Sequence, residues 1–248
     1  MNAQNRLLWH WWMPLAMGLL CAASACATDN TTDNTTDSAT PSQCFGSVSH
    51  GRLQDGVKLP KSGANFSPYS SLAVTAGRTY VHSKVAAIVQ ASYAALAQSR
   101  PHTRYVYGES GWASGGRFKP HRTHQNGLSV DFFVPVKDAQ GRSVPLPTEA
   151  STRFGYDLEF DHAGQWNGHT IDFEALAEHL YQLDVAAKAA GAGLALVIFD
   201  RAYLPRLWAT PRGAYLKKHL RFMKSQPWVR HDEHVHVDFA LRCRALKP

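Results

Sequence analysis

Residues 124–131 read HQNGLSVD, and residues 234–241 read HVHVDFAL. The first segment runs into the apolar stretch around Asp131, which is typical of a β-strand. The second alternates between polar and apolar residues, which also predicts a strand. Residues two apart on a strand point to the same face of the sheet, so His234 and His236 are expected to share a face. The two segments therefore predict strands that carry histidines and a carboxylate.

The residue types at these positions are those that bind zinc. His124 and Asp131 form an H-x6-D pattern, while His234 and His236 form H-x-H. Catalytic zinc sites combine three protein ligands with one position open to water, and imidazole and carboxylate are common ligands. Either pattern alone often arises by chance, but together they supply one full ligand set and one further imidazole. The sequence thus predicts a zinc hydrolase.

Hydrophobic periodicity predicts the elements around these segments. Apolar residues at helical spacing run through 82–98 and 173–190. The other predicted elements are strands at 104–108, 128–134, 194–200 and 235–241, one or two short helices within 203–224, and loops or short extended pieces at 44–80 and 135–170. The continuous apolar run of the strand at 194–200 indicates that it is buried. This organisation predicts an α+β fold, in which an antiparallel sheet carries the zinc site and helices flank it on one side.

Residues 1–26 have the pattern of an export signal. Arg6 is the only charged residue, and a mostly apolar run then ends in small residues. A transmembrane helix is the alternative, but polar and proline residues interrupt a run that is barely long enough to span a bilayer. Residues 23–26, ASAC, also resemble a bacterial lipobox, in which Cys26 would carry the lipid. Ordinary cleavage without lipid is the alternative to lipidation.

Residues 27–43 read ATDNTTDNTTDSATPSQ and contain no apolar residue larger than alanine. Such a segment cannot build a core, so a disordered tether is predicted, followed by one domain over residues 44–248. Residues 1–43 hold one of the 26 basic and three of the 19 acidic residues, which leaves a net charge of +9 on that domain. A basic exported domain suits an anionic polymer such as the cell wall. No nucleic-acid-binding motif occurs, so nucleic acid is not an expected partner.

The chain has four cysteines, at positions 21, 26, 44 and 243. Cys21 would leave with the signal, and Cys26 would take the lipid. Cys44 and Cys243 then remain, one at each end of the predicted domain. In an oxidising compartment such a pair is expected to form a disulfide.

Several motifs resemble one known family. They are Gly115-Gly116-Arg117-Phe118, His121, HQxGLxVD at 124–131 and WxxHxxHxH at 228–236. In this order they resemble the penicillin-insensitive murein endopeptidases, which belong with the lysostaphin, D-Ala-D-Ala peptidase and hedgehog zinc fold. The resemblance covers most of residues 44–248, and several motifs in the same order are much more specific than H-x6-D alone.

The resemblance implies a role for each residue of the first motifs. His124, Asp131 and His236 take the positions of the zinc ligands, with one Zn²⁺ per chain. His121 matches another histidine of the site, which is either a neighbour of the ligands or a ligand of a second metal. Ser129 stands where the family often has aspartate, and we expect it to face away from Asp131 and to leave the metal site intact.

The catalytic base has three candidates. The resemblance implies that His234 is the catalytic histidine and that His231 lines the site. Glu233 is a rival, because Glu233 and His236 also fit the E-x-x-H pattern of related D-Ala-D-Ala peptidases. On a regular strand Glu233 and His236 would point to opposite faces, whereas His234 shares the face of the ligand. His234 is therefore the preferred base, with Glu233 and His231 as alternatives.

The family resemblance implies a murein endopeptidase that hydrolyses cross-links between peptidoglycan stem peptides with metal-activated water. The expected location is the periplasm, with membrane contact only through a lipid on Cys26. One alternative is a carboxypeptidase that removes terminal D-Ala, which would need a cation such as Arg117 or Arg122 for the free carboxylate. The other is a non-catalytic wall-binding lipoprotein, although the presence of all three ligands and the base argues against a decayed site.

Overall fold

A computed structural model describes residues 40–246 of the 248-residue chain. The predicted signal segment, Cys26 and residues 27–39 of the predicted tether lie outside this range. The first strand begins at Gln43, next to the predicted start of the domain at residue 44. Within residues 40–246, no helix combines the length and the apolar character that crossing a membrane requires.

The described residues alternate between short strands and helices. The strands are β1 (Gln43–Ser47), β2 (His50–Gln54), β3 (Val57–Lys58), β4 (Phe66–Pro68), β5 (Tyr80–Val81), β6 (Tyr105–Tyr107), β7 (Ser129–Phe133), β8 (Val136–Lys137), β9 (Ser143–Val144), β10 (Gln165–Trp166), β11 (His169–Ile171), β12 (Leu194–Ile198) and β13 (His234–Phe239). The α-helices are α1 (Ser71–Thr75), α2 (Ser83–Ser99), α3 (Phe173–Ala189), α4 (Leu204–Trp208) and α5 (Gly213–His219). The predicted mixed α+β class is confirmed.

A five-stranded sheet, in the order β12-β13-β7-β6-β4, forms the centre of the domain. Its strands pair antiparallel, except that β4 and β6 run parallel. The prediction of an antiparallel sheet is therefore right for the strands of the two motifs and wrong for this edge pair. Where β7 pairs with β13, His236 lies opposite Asp131 and Asp238 lies opposite Ser129.

Helices α2 and α3 are the two long helices that periodicity predicted, and their ends agree with the prediction to within one residue. Helix α2 begins where the His82 side chain accepts a hydrogen bond from the backbone N–H of Lys84, and it ends just before Pro101. Its predicted apolar face is buried: Val85, Ile88, Val89, Ser92, Tyr93 and Leu96. Helix α3 packs against α2 and against the central sheet through His179, whose ring centroid lies 5.2 Å from that of Tyr93 and 4.8 Å from that of Phe132.

The segment predicted as a long loop, residues 135–170, contains regular structure. It forms most of a second sheet of four short strands, in the order β10-β11-β8-β9, together with a 3-10 turn at Ala150–Gly155. Strands of two or three residues carry too little periodicity to be recognised from sequence. The same reason explains why the short helix α1 was missed within residues 44–80.

Strand β12 lies at the edge of the central sheet, so its predicted burial is only partly correct. It pairs with β13 alone. Val197 and Ile198 are buried, whereas Leu194 is half-buried and Ala195 is exposed. A continuous apolar run does not reveal whether a strand has one neighbour or two.

The two ends of the domain are joined by a disulfide between Cys44 and Cys243, which are 199 residues apart in sequence. The pairing expected from the cysteine count is therefore present. Backbone hydrogen bonds support it, because Gly46 donates to the carbonyl of Arg244 and Arg244 donates to that of Cys44. A cross-link that closes a loop of this length would stabilise the fold by about 5 kcal/mol in the chain-entropy model.

His179 occupies an unusual position in the core between α2, α3 and the sheet. It is 1% exposed, and neither ring nitrogen has a hydrogen-bond partner among residues 40–246. The rings of Tyr93, Tyr105 and Phe132 surround it. Burial lowers the pKa of His179 to about 3, because the apolar surroundings penalise the charged form.

We predict that His179 makes the fold acid-sensitive. Below pH ~6.5 the unfolded chain protonates this histidine and the folded chain does not, so the free energy of unfolding falls as the pH decreases. Relative to His179→Phe, the wild type should lose about 2 kcal/mol between pH 7 and pH 5, as measured by urea unfolding at both pH values. The same substitution at the exposed His162 is the matched control, and parallel pH curves for wild type and His179→Phe would contradict the prediction.

Candidate functional site

Strands β7 and β13 form the floor of the candidate site. Side chains alternate along a strand, so Asp131 and Phe133 of β7 lie on the same face as His234 and His236 of β13. Antiparallel pairing brings Nδ1 of His236 to 2.9 Å from Oδ1 of Asp131. All four side chains are buried. Two motifs that are about a hundred residues apart in sequence thus meet at one point.

His124 reaches the same carboxylate from the turn that precedes β7. Its Nε2 lies 3.3 Å from Oδ1 of Asp131. Its backbone φ is 65°, in the left-handed region that residues other than glycine seldom adopt. Gly127 in the same turn has a φ of +75°, and a Cβ there would lie 2.7 Å from the backbone nitrogen of His82. This tight turn is what brings together the two ends of the H-x6-D motif.

The buried Nε2 of His124 makes no hydrogen bond within residues 40–246. Its other nitrogen, Nδ1, lies 3.2 Å from the backbone carbonyl of Ser110, which orients the ring. Buried polar atoms are nearly always paired, because leaving one unpaired costs about 1–3 kcal/mol. The unpaired nitrogen faces Asp131 and the ring of His236, whose centroid is 4.8 Å from that of His124. It therefore has the environment expected of a metal ligand.

Asp238 holds His236 from the side opposite Asp131. Its Oδ1 lies 2.8 Å from Nε2 of His236 and accepts a hydrogen bond of 2.6 Å from the hydroxyl of Ser129. Carboxylates that bind the second nitrogen of a metal-binding histidine fix its orientation. The expectation that Ser129 faces away from Asp131 was wrong, because residues two apart on a strand share a face. Ser129 supports the site through Asp238.

Tyr156 is a site residue that the sequence did not reveal. Its hydroxyl lies 3.0 Å from Oδ2 of Asp131 and 2.8 Å from the backbone nitrogen of Glu109, from which it accepts a hydrogen bond. It belongs to the segment that was predicted as a loop. The two histidines of that segment are not at the site, since His162 is exposed and His169 packs near Trp166.

His121 lies at the edge of the site and is fixed by Glu109. The Nε2 of His121 is 2.5 Å from Glu109, and its Nδ1 is 3.9 Å from Oδ2 of Asp131. Glu109 also accepts hydrogen bonds from the Tyr69 hydroxyl and the Arg78 guanidinium. Burial alone would raise the pKa of Glu109, but the hydrogen bonds and charges of His121 and Arg78 lower it to about 2. The carboxylate therefore stays ionised.

The three candidates for the base lie together. Nδ1 of His234 is 2.9 Å from Oε1 of Glu233, and its Nε2 is 3.8 Å from Oδ1 of Asp131. The ring centroid of His231 lies 4.7 Å from that of His234, and its Nδ1 is 2.9 Å from the carbonyl of Val229. Glu233 is thus a neighbour of His234 on the side away from Asp131.

Burial and paired charges set the protonation of the site. Burial alone would raise the pKa of Asp131, but His124, His234 and His236 hold it well below its usual value. Burial lowers the pKa of His124, and it lowers that of His234 to about 4. Asp238 and Asp131 reverse the effect of burial on His236 and raise its pKa to about 10. Asp131 is thus an ionised carboxylate beside the neutral imidazoles of His124 and His234, while His236 would have to give up a proton on binding a metal.

The residues present fit a metal ion of the zinc type. His121, His124 and Asp131 offer ligand atoms that all lie within 4.8 Å of one another. Nδ1 of His236 also touches Asp131, so three candidate histidine ligands surround the Asp131 carboxylate, which is the fourth. Nitrogen and carboxylate ligands in a buried site suit zinc better than calcium or magnesium, which prefer oxygen. The unpaired Nε2 of His124 is the atom that such an ion would satisfy.

A model of the penicillin-insensitive murein endopeptidase family matches residues 44–158. Over this stretch, the chain is similar to that family. The resemblance seen in the motifs is thereby confirmed, and the match includes His121, His124 and Asp131. It ends before the histidines of 231–236, which join the site through the pairing of β13 with β7. No curated protein matches the chain.

Proposed function

We propose that this protein is a zinc-dependent murein endopeptidase, which hydrolyses the peptide cross-links of peptidoglycan. The observation that carries the proposal is the convergence of His124, Asp131 and His236, in which the buried Nε2 of His124 has no hydrogen-bond partner among residues 40–246 and lies 3.3 Å from Oδ1 of Asp131. The similarity of residues 44–158 to the murein endopeptidase family supports the substrate class. The +9 charge on residues 44–248 suits an anionic wall polymer.

In this proposal His124, Asp131 and His236 hold one zinc ion. Nε2 of His124 and Nδ1 of His236 face the same oxygen of Asp131, and the second nitrogen of each ring is held by Ser110 or Asp238. When bound, zinc supplies a Lewis acid that makes water a better nucleophile near neutral pH and stabilises negative charge on the substrate carbonyl. His121 completes the edge of the site and is a candidate ligand for a second ion.

His234 acts as the general base. Burial lowers its pKa to about 4, so the imidazole is neutral at pH 7 and can accept a proton. With its own proton on Nδ1, donated to Oε1 of Glu233, the ring presents the free lone pair of Nε2 toward Asp131. Glu233 then orients the base and need not take the proton itself. His231, packed beside His234, is the candidate to protonate the leaving amine.

An endopeptidase fits the surroundings of the site better than a carboxypeptidase does. A carboxypeptidase needs a closed pocket for the terminal carboxylate, whereas the cavity beside His121 is lined by exposed side chains, among them Arg117 and Arg122. A purely wall-binding protein would not need the buried ligands or the base. Both alternatives are outcomes of the digestion experiment described below.

We infer a periplasmic location for the domain. A signal over residues 1–26, a tether over 27–43 and lipid on Cys26 would hold residues 44–248 near a membrane and within reach of the wall. The disulfide between Cys44 and Cys243 fits an oxidising compartment. Labelling with a radioactive fatty acid, compared between wild type and Cys26→Ser, would report lipidation.

Replacing Asp238 by Asn should lower zinc affinity about 10- to 100-fold, since Asp238 orients the ring of His236. Competition titration against a zinc-binding dye measures the affinity. Ser129→Ala, which removes only the hydrogen bond to Asp238, is the milder matched variant and should have a smaller effect in the same direction. Equal affinities for wild type and Asp238→Asn would contradict the role given to His236.

The base can be identified from three variants. His234→Ala should lower kcat by roughly 10²- to 10⁴-fold while zinc remains bound. Glu233→Gln should lower it by less than about tenfold, because the amide oxygen can still accept the Nδ1–H of His234. His231→Ala tests the third candidate. If Glu233→Gln were as inactive as His234→Ala, Glu233 would be the base.

Digestion of intact sacculi tests the proposed reaction. The purified, zinc-loaded protein should convert cross-linked muropeptide dimers to monomers, as read by mass spectrometry, and a chelator or His236→Ala should abolish the conversion. Loss of only terminal D-Ala would favour the carboxypeptidase. No product, with zinc bound and the protein pelleting with sacculi, would favour the wall-binding protein.

A further inference from the structure

A cavity of about 710 Å³ opens next to the candidate metal site. Its wall contains His121, so it begins where the site ends. Four cationic side chains also line it, and all four are exposed: Arg52, Arg117, Lys119 and Arg122. Within residues 40–246, no aspartate or glutamate lines the cavity. We call these four residues and the cavity between them the basic groove.

The cations of the basic groove have no carboxylate partner among residues 40–246, which distinguishes this groove from a second basic cavity. A second cavity, of about 770 Å³, is also lined by basic residues. There Lys137 pairs with Asp172 at 2.8 Å, and Arg212 pairs with Glu178 at 2.7 Å. Positive charge in the second cavity is neutralised by the protein itself. In the basic groove it is available to a ligand.

An exposed aromatic residue completes the groove. Trp228 also lines the cavity and is 56% exposed, which is uncommon for so large an apolar side chain. The guanidinium of Arg122 lies 4.8 Å from the centre of its ring. This stacking fixes the orientation of Arg122 and leaves its N–H groups free to bind an anion. A flat apolar surface beside a fixed cation suits a peptide backbone that carries carboxylates.

The groove lies within reach of the reacting centre. His121 joins the two, because it lines the groove while its Nδ1 lies 3.9 Å from Oδ2 of Asp131. A peptide whose scissile bond lies over Asp131 would therefore extend its neighbouring residues into the groove. The cations would then contact carboxylates that flank the bond.

We propose that the basic groove is a substrate subsite in which Arg117 and Arg122 bind the free carboxylates of the stem peptide next to the scissile bond. The choice of a stem peptide rests on the proposed function. The groove itself rests on its unpaired cations, the absence of acidic residues from its lining, and the pairing of Arg122 with Trp228. Arg117 and Arg122 thus set specificity for peptides with free rather than amidated carboxylates.

The test compares two substrates and two double variants in steady-state kinetics. For a cross-linked dimer with free carboxylates, Arg117→Ala/Arg122→Ala should raise KM at least about tenfold and leave kcat nearly unchanged. For the same dimer with its carboxylates amidated, wild type should already show the raised KM, and the double variant should add nothing. Lys217→Ala/Lys218→Ala on α5 removes the same charge outside the groove and should keep wild-type KM for both substrates.

Two results would overturn the proposal. One is an equal rise in KM for both double variants, which would indicate a general effect of net charge. The other is an equal rise in KM for Arg117→Ala/Arg122→Ala on the free-carboxylate dimer and on the amidated dimer, which would indicate that the arginines contact groups other than carboxylates.

A binding measurement separates this proposal from the proposed function. Calorimetric titration with a monomeric stem peptide needs no hydrolysis, and the Arg117→Ala/Arg122→Ala variant should bind the free-carboxylate peptide at least about tenfold more weakly than wild type. One outcome is that peptide binding requires the two arginines but wild type cleaves no dimer. The groove proposal would then hold, and the endopeptidase proposal would be wrong. If wild type cleaves dimers and the arginines affect neither KM nor peptide binding, the groove proposal falls alone.

Discussion

The antiparallel pairing of β7 with β13 is the interaction on which the rest of the site depends. Its register sets His236 opposite Asp131 and Asp238 opposite Ser129. A slip of one residue would turn every one of these side chains to the other face of the sheet. The helices on the opposite face oppose such a slip, because Phe132 packs there against His179 of α3. The core thus fixes the geometry of the site.

The site consists of a buried, charged floor and the exposed basic groove beside it, and the two have different roles. Asp131 is fully buried, and its charge is sustained by contacts with His124, His236 and Tyr156. An isolated buried carboxylate would be neutralised, so the imidazoles are as important to Asp131 as it is to them. The cations of the basic groove, by contrast, are exposed to solvent and have no carboxylate partner in the described part of the chain. In our proposals the floor holds the metal and the basic groove binds the substrate.

Elements with several turns or several alternations could be predicted from the sequence, as α2, α3, β7 and β13 demonstrate. The parallel pairing of β4 with β6, the strands of two residues and the edge position of β12 could not, since each depends on contacts distant in sequence. The H-x6-D and H-x-H motifs indicated residues that do meet. The contact of Tyr156 with Asp131 left no signal, because Tyr156 belongs to no motif.

The central claim is that one metal ion is shared by ligands from both motifs. A structure of the zinc-loaded protein, with zinc located by its anomalous scattering, tests this most directly. We predict a single strong site bound by Nε2 of His124, Oδ1 of Asp131 and Nδ1 of His236. Zinc held by His121, His124 and Asp131 without His236, or no zinc at this position, would contradict it.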